Sequence, residues 1–395
     1  MRVDGTVLLV GPRLGPGFGC LPCLEAWQAL RAPYTPTPPK LPKDENSVLS
    51  LADTLYKRNP AIEWDTTIAL FPAGVDTPQL VRFLPRDNCP HCLGQPAFPL
   101  EDKFHILANP LTGLLLGVQV LPRAFGLSWA HGSALLPRPH PPTGASGCGV
   151  TPAEARARMV AEAVERHSIA YAGDEPLEIE AYSDSGAETK HFPAREIFLH
   201  HPEGGPDSTG CAAAPTLEMA RRHAWLEVLE RDAFTRWWTR RTARRPLDFA
   251  PSPWLETVRQ ALAQGQRTLW WLDLSRHEGV TVAAALSSKP DGREVYLGAA
   301  ADFEPSMAVE RATRELLQFL VWDQITGPPP RRRQWFASHT LAKERWLRPA
   351  ENLPAALRIP VPPGHWVNLT RPSLGVPVVR VLIPGCRIFP PDVPI

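Results

Sequence analysis

The sequence lacks the features that would place the chain in a membrane or on a nucleic acid. It has no run of about 18 apolar residues, which is the length that a transmembrane helix needs. The first residues, MRVDGTVLLVGPRLG, do not have the regions of a secretory signal peptide, so we expect a cytoplasmic protein. The 395 residues carry a net charge of only +1, which excludes a general polyanion binder and predicts no nucleic-acid partner.

The sequence also lacks the phosphate-binding loop G-x-x-x-x-G-K-[ST], so an ATP site would have to be built in another way. The hydrophobic content of 44% predicts a globular core, and the 46 prolines form clusters typical of rigid connectors. Strand-like and helix-like segments predict an α+β fold. We expect a small module over residues 1–102 and a larger domain over 103–395. Residues 106–121 predict two strands around a turn.

One helical pattern occurs twice, 65 residues apart. Each copy begins with a threonine suited to capping a helix, and Glu154 follows the first threonine as in a capping box. Surface charge explains either copy alone, but the duplication and the apolar flanks of the second copy favour a shared ligand. The matching residues are Thr151, Glu162, Glu165 and Arg166 in the first copy and Thr216, Glu227, Glu230 and Arg231 in the second.

Two glutamates three residues apart on each helix share one face, so four carboxylates would meet in one space. They would repel each other unless cations neutralised them, and hard oxygen ligands favour Mg²⁺ over zinc. Arg166 and Arg231 suit phosphate oxygens. A third helical segment, residues 306–323, adds Arg311 and Glu315. The pattern predicts a site for Mg²⁺ and a nucleoside triphosphate.

Four of the seven cysteines form two C-x-x-C pairs. Two such pairs in one module suit a tetrahedral, structural zinc site without an open coordination position. A redox pair, a disulfide or chance are the alternatives, although a disulfide is unusual in a cytosolic chain. The predicted zinc ligands are Cys20, Cys23, Cys89 and Cys92.

The sequence resembles the YcaO superfamily over residues 103–395. The resemblance is carried by TGASGCGVTPAEARARMVAEAVER, DSTGCAAAPTLEMARRHAWLEVLERDAFTRWW and AVERATRELLQFLVWD, in that order. The segments GCLPCLEAWQALR and RDNCPHCLG resemble the zinc-binding part of a ubiquitin-activating-enzyme-like module. Together they resemble an azoline-forming cyclodehydratase of ribosomal peptide pathways, of thiopeptide or cyanobactin type.

The resemblance implies a YcaO-type ATP-binding domain, preceded by the small zinc-binding α/β module. It implies Mg²⁺ held by Glu162, Glu165, Glu227 and Glu230, and nucleotide contacts from Ser146, Ser208, Arg231, Arg311 and Glu315. Arg166 joins the nucleotide contacts as a phosphate partner. The chain departs from the family pattern at Cys148, where a lysine is common, and at Thr209, where an asparagine is common. Both departures concern the local nucleotide contacts.

The implied reaction converts Cys, and also Ser or Thr, of a precursor peptide into thiazolines or oxazolines after ATP phosphorylates the amide oxygen. In azoline-forming relatives a proline-rich C-terminus places its carboxylate in the active site, which makes Ile395 the candidate catalytic group. The ending FPPDVPI matches that feature only in part, and an extended tail is the equal alternative. A non-catalytic peptide-recruiting scaffold or a thioamide-forming YcaO enzyme are the competing functions.

The expected partners are the precursor peptide, a flavin-dependent azoline dehydrogenase and a separate leader-binding protein; a homodimer is left open. Only one short strand, TVLLVG, precedes Cys20, and so few residues cannot form a leader-binding domain. We therefore expect an activating-enzyme-like partner to bind the leader. The thiopeptide analogy makes Cys the expected ring-forming residue.

Overall fold

The computed structural model describes residues 2–4, 7–10, 21–31, 33, 57, 67–72, 79–82, 89, 104, 107–108, 113–354 and 357–387. Within them, the N-terminal part contains an antiparallel sheet of order β1-β2-β3-β4 and one helix. The elements are β1 (Arg2–Asp4), β2 (Val7–Val10), α1 (Leu21–Arg31), β3 (Thr67–Pro72) and β4 (Gln79–Arg82). The strands predicted from TVLLVG and TIALFP and the helix predicted after Cys20 are confirmed.

Helix α1 connects the N-terminal sheet with the rest of the chain. Cys23 and Leu24 pack with β3 and β4, whereas Trp27 is buried in the core of the larger part. Arg31 donates hydrogen bonds to the carbonyl oxygens of Gly113 (2.5 Å) and Leu115 (3.2 Å). The helix is therefore shared between both parts.

The larger part contains three further antiparallel sheets, of order β5-β6-β7, β10-β15-β14-β8-β9 and β11-β12-β13. Their strands are β5 (Leu115–Ala124), β6 (Leu127–Ala134), β7 (Thr143–Gly149), β8 (Glu178–Ser183), β9 (Thr189–Pro193), β10 (Cys211–Ala213), β11 (Thr268–Asp273), β12 (Thr281–Ser288), β13 (Tyr296–Asp302), β14 (His365–Asn368) and β15 (Val378–Leu382). The helices are α2 (Pro152–Ile169), α3 (Ala194–Ile197), α4 (Leu217–Arg240), α5 (Pro253–Gln264), α6 (Pro305–Thr326) and α7 (Pro330–Ser338). The mixture confirms the predicted combination of helices and sheets.

One local prediction was wrong. Among the described residues of 106–121, only those from Leu115 onward form a strand, the first part of β5, where two strands around a turn were predicted. Leu107 is helical, and the Ala108 N–H donates to the carbonyl oxygen of Phe104 at 2.9 Å. Leu107 is buried in the core of the larger part, which explains an apolar residue at this position without a strand.

Three helices follow a strand and pack back onto the sheet that contains it. Helix α2 packs on β7, α4 on β10 and α6 on β13. Thr151 accepts a hydrogen bond from the Glu154 N–H (3.2 Å), and Thr216 accepts one from the Met219 N–H (3.2 Å). Glu154 accepts the N–H of Val150, the residue before the N-cap, at 2.8 Å, so only the threonine half of the predicted capping box is formed.

These three strand–helix units share their buried positions. The fourth residue of each helix is a fully buried alanine: Ala155, Ala220 and Ala308. The eighth residue is also fully buried: Met159, Ala224 and Ala312. Small residues bring helix and strand close together. A Cβ at Gly298 on β13 would lie 2.5 Å from the Ala312 carbonyl oxygen. The third unit thus repeats the pattern that the sequence shows for the first two.

Candidate active site

The repeated units place a glutamate at the eleventh residue of each of the three helices. These residues are Glu162 on α2, Glu227 on α4 and Glu315 on α6. Burial raises the pKa of both Glu227 and Glu230 and Glu315 adds to the rise, so the carboxylates of α4 and α6 lie within electrostatic reach of each other. Glu162 and Glu315 line one cavity of about 620 Å³.

Backbone N–H groups of the preceding strands orient two of these glutamates in the same way. The Ser146 N–H on β7 donates to Glu162 Oε2 at 2.8 Å, and the Ala299 N–H on β13 donates to Glu315 Oε2 at 2.6 Å. Arg166 donates to Glu162 Oε1 from Nη2 at 2.6 Å. Hydrogen bonds within the protein therefore orient the Glu162 and Glu315 carboxylates without a ligand.

The fourteenth residues of the helices, Glu165, Glu230 and Gln318, lie three residues further along the same faces. Arg231 Nε lies 3.6 Å from both Glu227 Oε1 and Glu230 Oε1. Gln318 Nε2 donates to Ser146 Oγ at 2.5 Å, which joins α6 to β7 across the site.

The carboxylates resist ionisation in this arrangement. Burial raises the pKa of Glu230 to about 8, with Arg231 opposing the rise and Glu315 adding to it. Burial also raises the pKa of Glu227 to about 7. The pKa of Glu165 rises well above its usual range, first through burial and then through Glu227 and Glu162. The nearby arginines therefore do not balance the charge of the carboxylates.

The donor set fits a hard divalent cation. A cation between the helices would favour the ionised carboxylates, and oxygen ligands are those that Mg²⁺ prefers. In the described residues no three His, Cys, Asp or Glu side chains already stand as a metal-ligand group. Arg166 and Arg231 occupy carboxylate oxygens instead, so binding requires those ion pairs to rearrange.

Aromatic side chains also line the cavity. His131 on β6 and Trp322 on α6 pack with ring centroids 4.2 Å apart, and Trp129 and Phe319 belong to the same lining. The loop of Asp207, Ser208 and Thr209 completes the lining. Aromatic rings suit a planar base, and the arginines suit phosphates.

The buried Arg380 on β15 holds this loop. It donates to the Asp207 carbonyl oxygen from Nη2 and to the Ile197 carbonyl oxygen from Nη1, both at 2.9 Å. Thr209, one of the two departures from the family pattern, donates its N–H to Asp207 Oδ1 at 3.0 Å. Cys148, the other departure, is buried in an apolar cluster with Leu127.

Most of the predicted site residues come together here. Ser146, Glu162, Arg166, Ser208, Arg231 and Glu315 line the cavity. Glu165, Glu227 and Glu230 are linked to them electrostatically. Arg311 is directed to Asp302 Oδ2 at 3.1 Å. The predicted Ile395, Cys20 and Cys92 lie outside the described residues.

Cys23 belongs to the first predicted zinc pair and Cys89 to the second, and both pack in one apolar cluster with Ile68 and Val81. The structure thus brings together one cysteine from each pair.

Sequence reasoning missed His131, Trp322 and Asp207. They come from β6, α6 and the loop before β10, and no local motif connects them. The sequence does contain one signal that α6 belongs to the site, because α6 is a third copy of the repeat. Its equivalent residues are Ala308, Ala312 and Glu315, at the helix positions of Ala220, Ala224 and Glu227.

Comparison with known proteins agrees with this geometry. Residues 178–363 match the model of the family described as YcaO cyclodehydratase, ATP- and Mg²⁺-binding. A solved heterocyclase in complex with substrate and cofactor superposes with a TM-score of 0.79 at 21% identity, over 98% of this chain and 72% of that one. The chain has a YcaO-type heterocyclase fold.

Two further structures share the YcaO-type fold over a smaller part of the chain. YcaO from Methanopyrus kandleri bound with AMPPCP and Mg²⁺ has a TM-score of 0.56 at 22% identity, over 69% of this chain and 86% of that one. A chain of the E. coli microcin synthetase McbBCD complex has a TM-score of 0.55 at 11% identity, over 71% and 90%.

A curated relative is an uncharacterized protein of Methanothermobacter thermautotrophicus (strain Delta H). It is 27% identical over 260 residues, which are 54% of this chain and 66% of the relative. The YcaO family match includes α4 and α6, and the internal repeat extends the same helix positions to α2. In the described part of the chain, no helix is both long and apolar enough to cross a bilayer.

Proposed function

We propose that the chain is an ATP-dependent peptide cyclodehydratase that converts Cys, and also Ser or Thr, of a ribosomally made precursor into azolines. The observation that carries the proposal is the cluster of glutamates from three helices, of which Glu230 is buried and the others are partly buried, beside Arg166 and Arg231. Structural surroundings that raise carboxylate pKa values so strongly are typical of functional sites. The YcaO family description and the nucleotide-bound structure of similar fold support ATP and Mg²⁺ as the ligands.

The chemistry explains why such a site needs a phosphate donor. Attack of a thiol or hydroxyl on an amide carbonyl gives an oxyanion that is a poor leaving group as oxide. Phosphorylation of that oxygen allows it to leave as phosphate, and the ring then closes as a thiazoline or oxazoline. The protein contributes by positioning the groups and by stabilising charge on the transferred phosphoryl.

The residues of the site would have different roles in this reaction. Glu162, Glu165, Glu227 and Glu230 would hold Mg²⁺, which when bound neutralises phosphate charge during transfer. Arg166 and Arg231 would pair with phosphate oxygens after releasing their carboxylates. Ser146 and Ser208 line the same cavity and would contact the nucleotide.

The Glu230→Gln variant tests this function, with Glu256→Gln as the matched control. Glu256 lies on α5 in an exposed ion pair with Arg259. The substrate is a peptide with one core Cys, taken from any short precursor gene found beside the gene of this chain, together with any leader-binding protein encoded there. Mass spectrometry should show loss of one water per ring with wild-type chain and with the control, but not with Glu230→Gln. Ring formation by Glu230→Gln at the wild-type rate would overturn the assignment, and replacement of oxygen by sulfur would indicate a thioamide-forming enzyme.

We also propose that residues 1–102 form a zinc-binding module. The support is the shared core of Cys23 and Cys89, one from each C-x-x-C pair. A bound zinc would stabilise the core that these two cysteines share. Metal analysis should find about one zinc per chain in wild type, and none in the Cys23→Ser/Cys89→Ser variant. A well-folded wild-type chain without metal would contradict the proposal.

We propose, finally, that a separate protein binds the leader of the precursor. The similarity to a chain of the McbBCD complex supports a multi-protein enzyme. Fluorescence polarisation with a labelled leader peptide should show weak binding to this chain alone. Tight and specific binding without a partner would refute this proposal.

A further inference from the structure

Arg380 is a buried cation that lies behind the cavity loop, residues 207–210, whose first three residues line the cavity. It is only 2% exposed, and its strand β15 pairs with β10 and β14. The hydrogen-bond acceptors of its guanidinium are two carbonyl oxygens and the Cys211 sulfur, and none of them is a carboxylate. In the described part of the chain its Nε has no hydrogen-bond partner. Because a buried charge without a bonded counter-charge destabilises a fold, Arg380 calls for a role beyond stability.

Two tight turns give the cavity loop its shape. The Thr209 N–H donates to Asp207 Oδ1 at 3.0 Å, and the Cys211 N–H donates to the Ser208 carbonyl oxygen at 3.1 Å. Gly210, the third residue of the second turn, has a φ of +77°, which favours glycine at this position. These turns determine the shape of the loop, but they do not determine where it lies relative to the cavity.

Strand β15 holds the cavity loop at both of its ends. Arg380 Nη2 donates to the Asp207 carbonyl oxygen at 2.9 Å, and the Val381 N–H donates to the Gly210 carbonyl oxygen at 2.7 Å. A Cβ at Gly210 would strike the Val381 carbonyl oxygen and would lie 2.7 Å from Val228 Cγ2 on α4. The loop therefore fits closely between β15 and α4, and Arg380 is the only side chain in this pair of contacts.

The same guanidinium reaches a second element. Arg380 Nη1 donates to the carbonyl oxygen of Ile197, the last residue of α3, at 2.9 Å. The planar fork of arginine allows one side chain to hold both carbonyl groups at once. Arg380 also lies within electrostatic reach of Glu227 on α4. The cation is thus placed where the cavity loop and the glutamate cluster meet.

We propose that Arg380 is a positioning residue of the site, which holds the cavity loop where Ser208 contacts the nucleotide. The proposal rests on the proposed ATP-dependent function, in which Ser208 is a nucleotide contact. Arg380 does not itself line the cavity, whereas Ser208 lines it together with Arg166 and Arg231, so Arg380 acts through the loop. Removal of a group that orients the residues around a metal site typically costs about 10- to 100-fold in affinity or activity.

Two substitutions of Arg380 and one control test the proposal. Arg380→Met removes the charge and both hydrogen bonds to carbonyl groups. Arg380→Lys keeps the charge, but an ammonium group lacks the fork that reaches two carbonyls. The matched control is Arg267→Met, because Arg267 is a partly buried arginine that also donates to carbonyl oxygens. Its partners, Ser287 and Glu294, are not part of the cavity lining.

Calorimetry measures the Kd of Mg²⁺–ATP, and cyclisation kinetics measure kcat and the KM for ATP. We expect Arg380→Met to raise the Kd and the KM about 10- to 100-fold and Arg380→Lys to raise them less, while the control matches wild type. The kcat at saturating ATP should change little, because the loop contacts the nucleotide before and during the reaction. Hydrogen exchange of the Cys211 N–H in the nucleotide-free chain should be faster in Arg380→Met, because the loop loses its anchor.

Other outcomes would overturn the proposal. A lower kcat with unchanged Kd and KM for ATP would show that Arg380 serves the fold alone, and wild-type values throughout would show that it has no role. If Arg380→Met does not fold, Arg380→Lys decides by the same measurements, and a wild-type Kd and KM would then refute the proposal. If the wild-type chain binds Mg²⁺–ATP but forms no azoline, the cyclodehydratase function fails, and the Kd values still decide the role of Arg380.

Discussion

Glu230→Gln should change how the stability of the nucleotide-free chain depends on pH. Glu230 is only 8% exposed, and burial raises its pKa to about 8 from an ordinary value of 4.5. Between these two values the native chain binds one proton more than the unfolded chain. The free energy of unfolding therefore falls as pH rises through this window. Glutamine does not titrate, so the variant loses this contribution.

The size of the effect follows from the shift. One pKa unit corresponds to about 1.4 kcal/mol. At pH 7 Glu230 therefore lowers the free energy of unfolding by about 3 kcal/mol relative to an acidic pH at which it is protonated in both states. That is a substantial part of the 5–15 kcal/mol that is roughly typical for native proteins. Glu227, whose pKa burial raises to about 7, adds a pH dependence of the same sign. Wild type should therefore be most stable near the acidic end of the window.

Urea denaturation at about pH 5, 7 and 8.5 measures this dependence. We expect wild type and the Glu256→Gln control to lose stability together as pH rises. Glu230→Gln should lose less and should be more stable than wild type at the highest pH. Parallel curves for wild type and Glu230→Gln would refute the reasoning, because Glu230 would then titrate alike in both states.

Three further predictions follow from the same contacts. Binding of Mg²⁺–ATP should release protons at about pH 7, because the cation favours the ionised forms of Glu227 and Glu230. Calorimetry in buffers of different ionisation enthalpy measures the number of protons released. Proton uptake on binding would contradict the prediction. Changing Asp232 to Ala should lower the free energy of unfolding by about 3–5 kcal/mol, because Asp232 accepts hydrogen bonds from Arg236 Nε (2.8 Å) and the Arg387 N–H (2.9 Å). Changing the exposed Asp291 to Ala should leave it almost unchanged. A neutral result in urea denaturation would count against the buried network. Gly298→Ala should cost about 1–3 kcal/mol because its Cβ would strike the backbone of α6, whereas Gly265→Ala has room; equal melting temperatures would show that α6 can shift freely.

The sequence predicts the helices of the site well because their signals are local. Thr151 and Thr216 both cap their helices through side-chain hydrogen bonds, as the threonine spacing indicates. The third helix was found, but not as a copy of the first two. Its N-cap residue Glu304 makes no capping hydrogen bond, and Gln318 replaces the second glutamate. What the three copies share is mainly buried alanine, which is too common to reveal a repeat.

The pairing of strands into sheets and the aromatic lining of the cavity depend on contacts between residues that are far apart in the sequence. Strand β12 is buried along its whole length, because α4 and α6 pack against the sheet that contains it. Its run of small apolar residues therefore shows no alternation that would reveal its neighbours. His131 and Trp322 meet where Gln318 on α6 donates a hydrogen bond to Ser146 on β7. No spacing rule in the sequence connects two such distant residues.

The central claim is that the chain spends ATP to phosphorylate a peptide amide oxygen. The most direct measurement uses a precursor peptide labelled with oxygen-18 at the carbonyl before its core Cys, incubated with ATP, Mg²⁺ and the chain with its leader-binding partner. Mass spectrometry of the released inorganic phosphate reports where the amide oxygen goes. We predict that one labelled oxygen appears in phosphate for each ring formed. Rings formed with the label released into water would contradict the account.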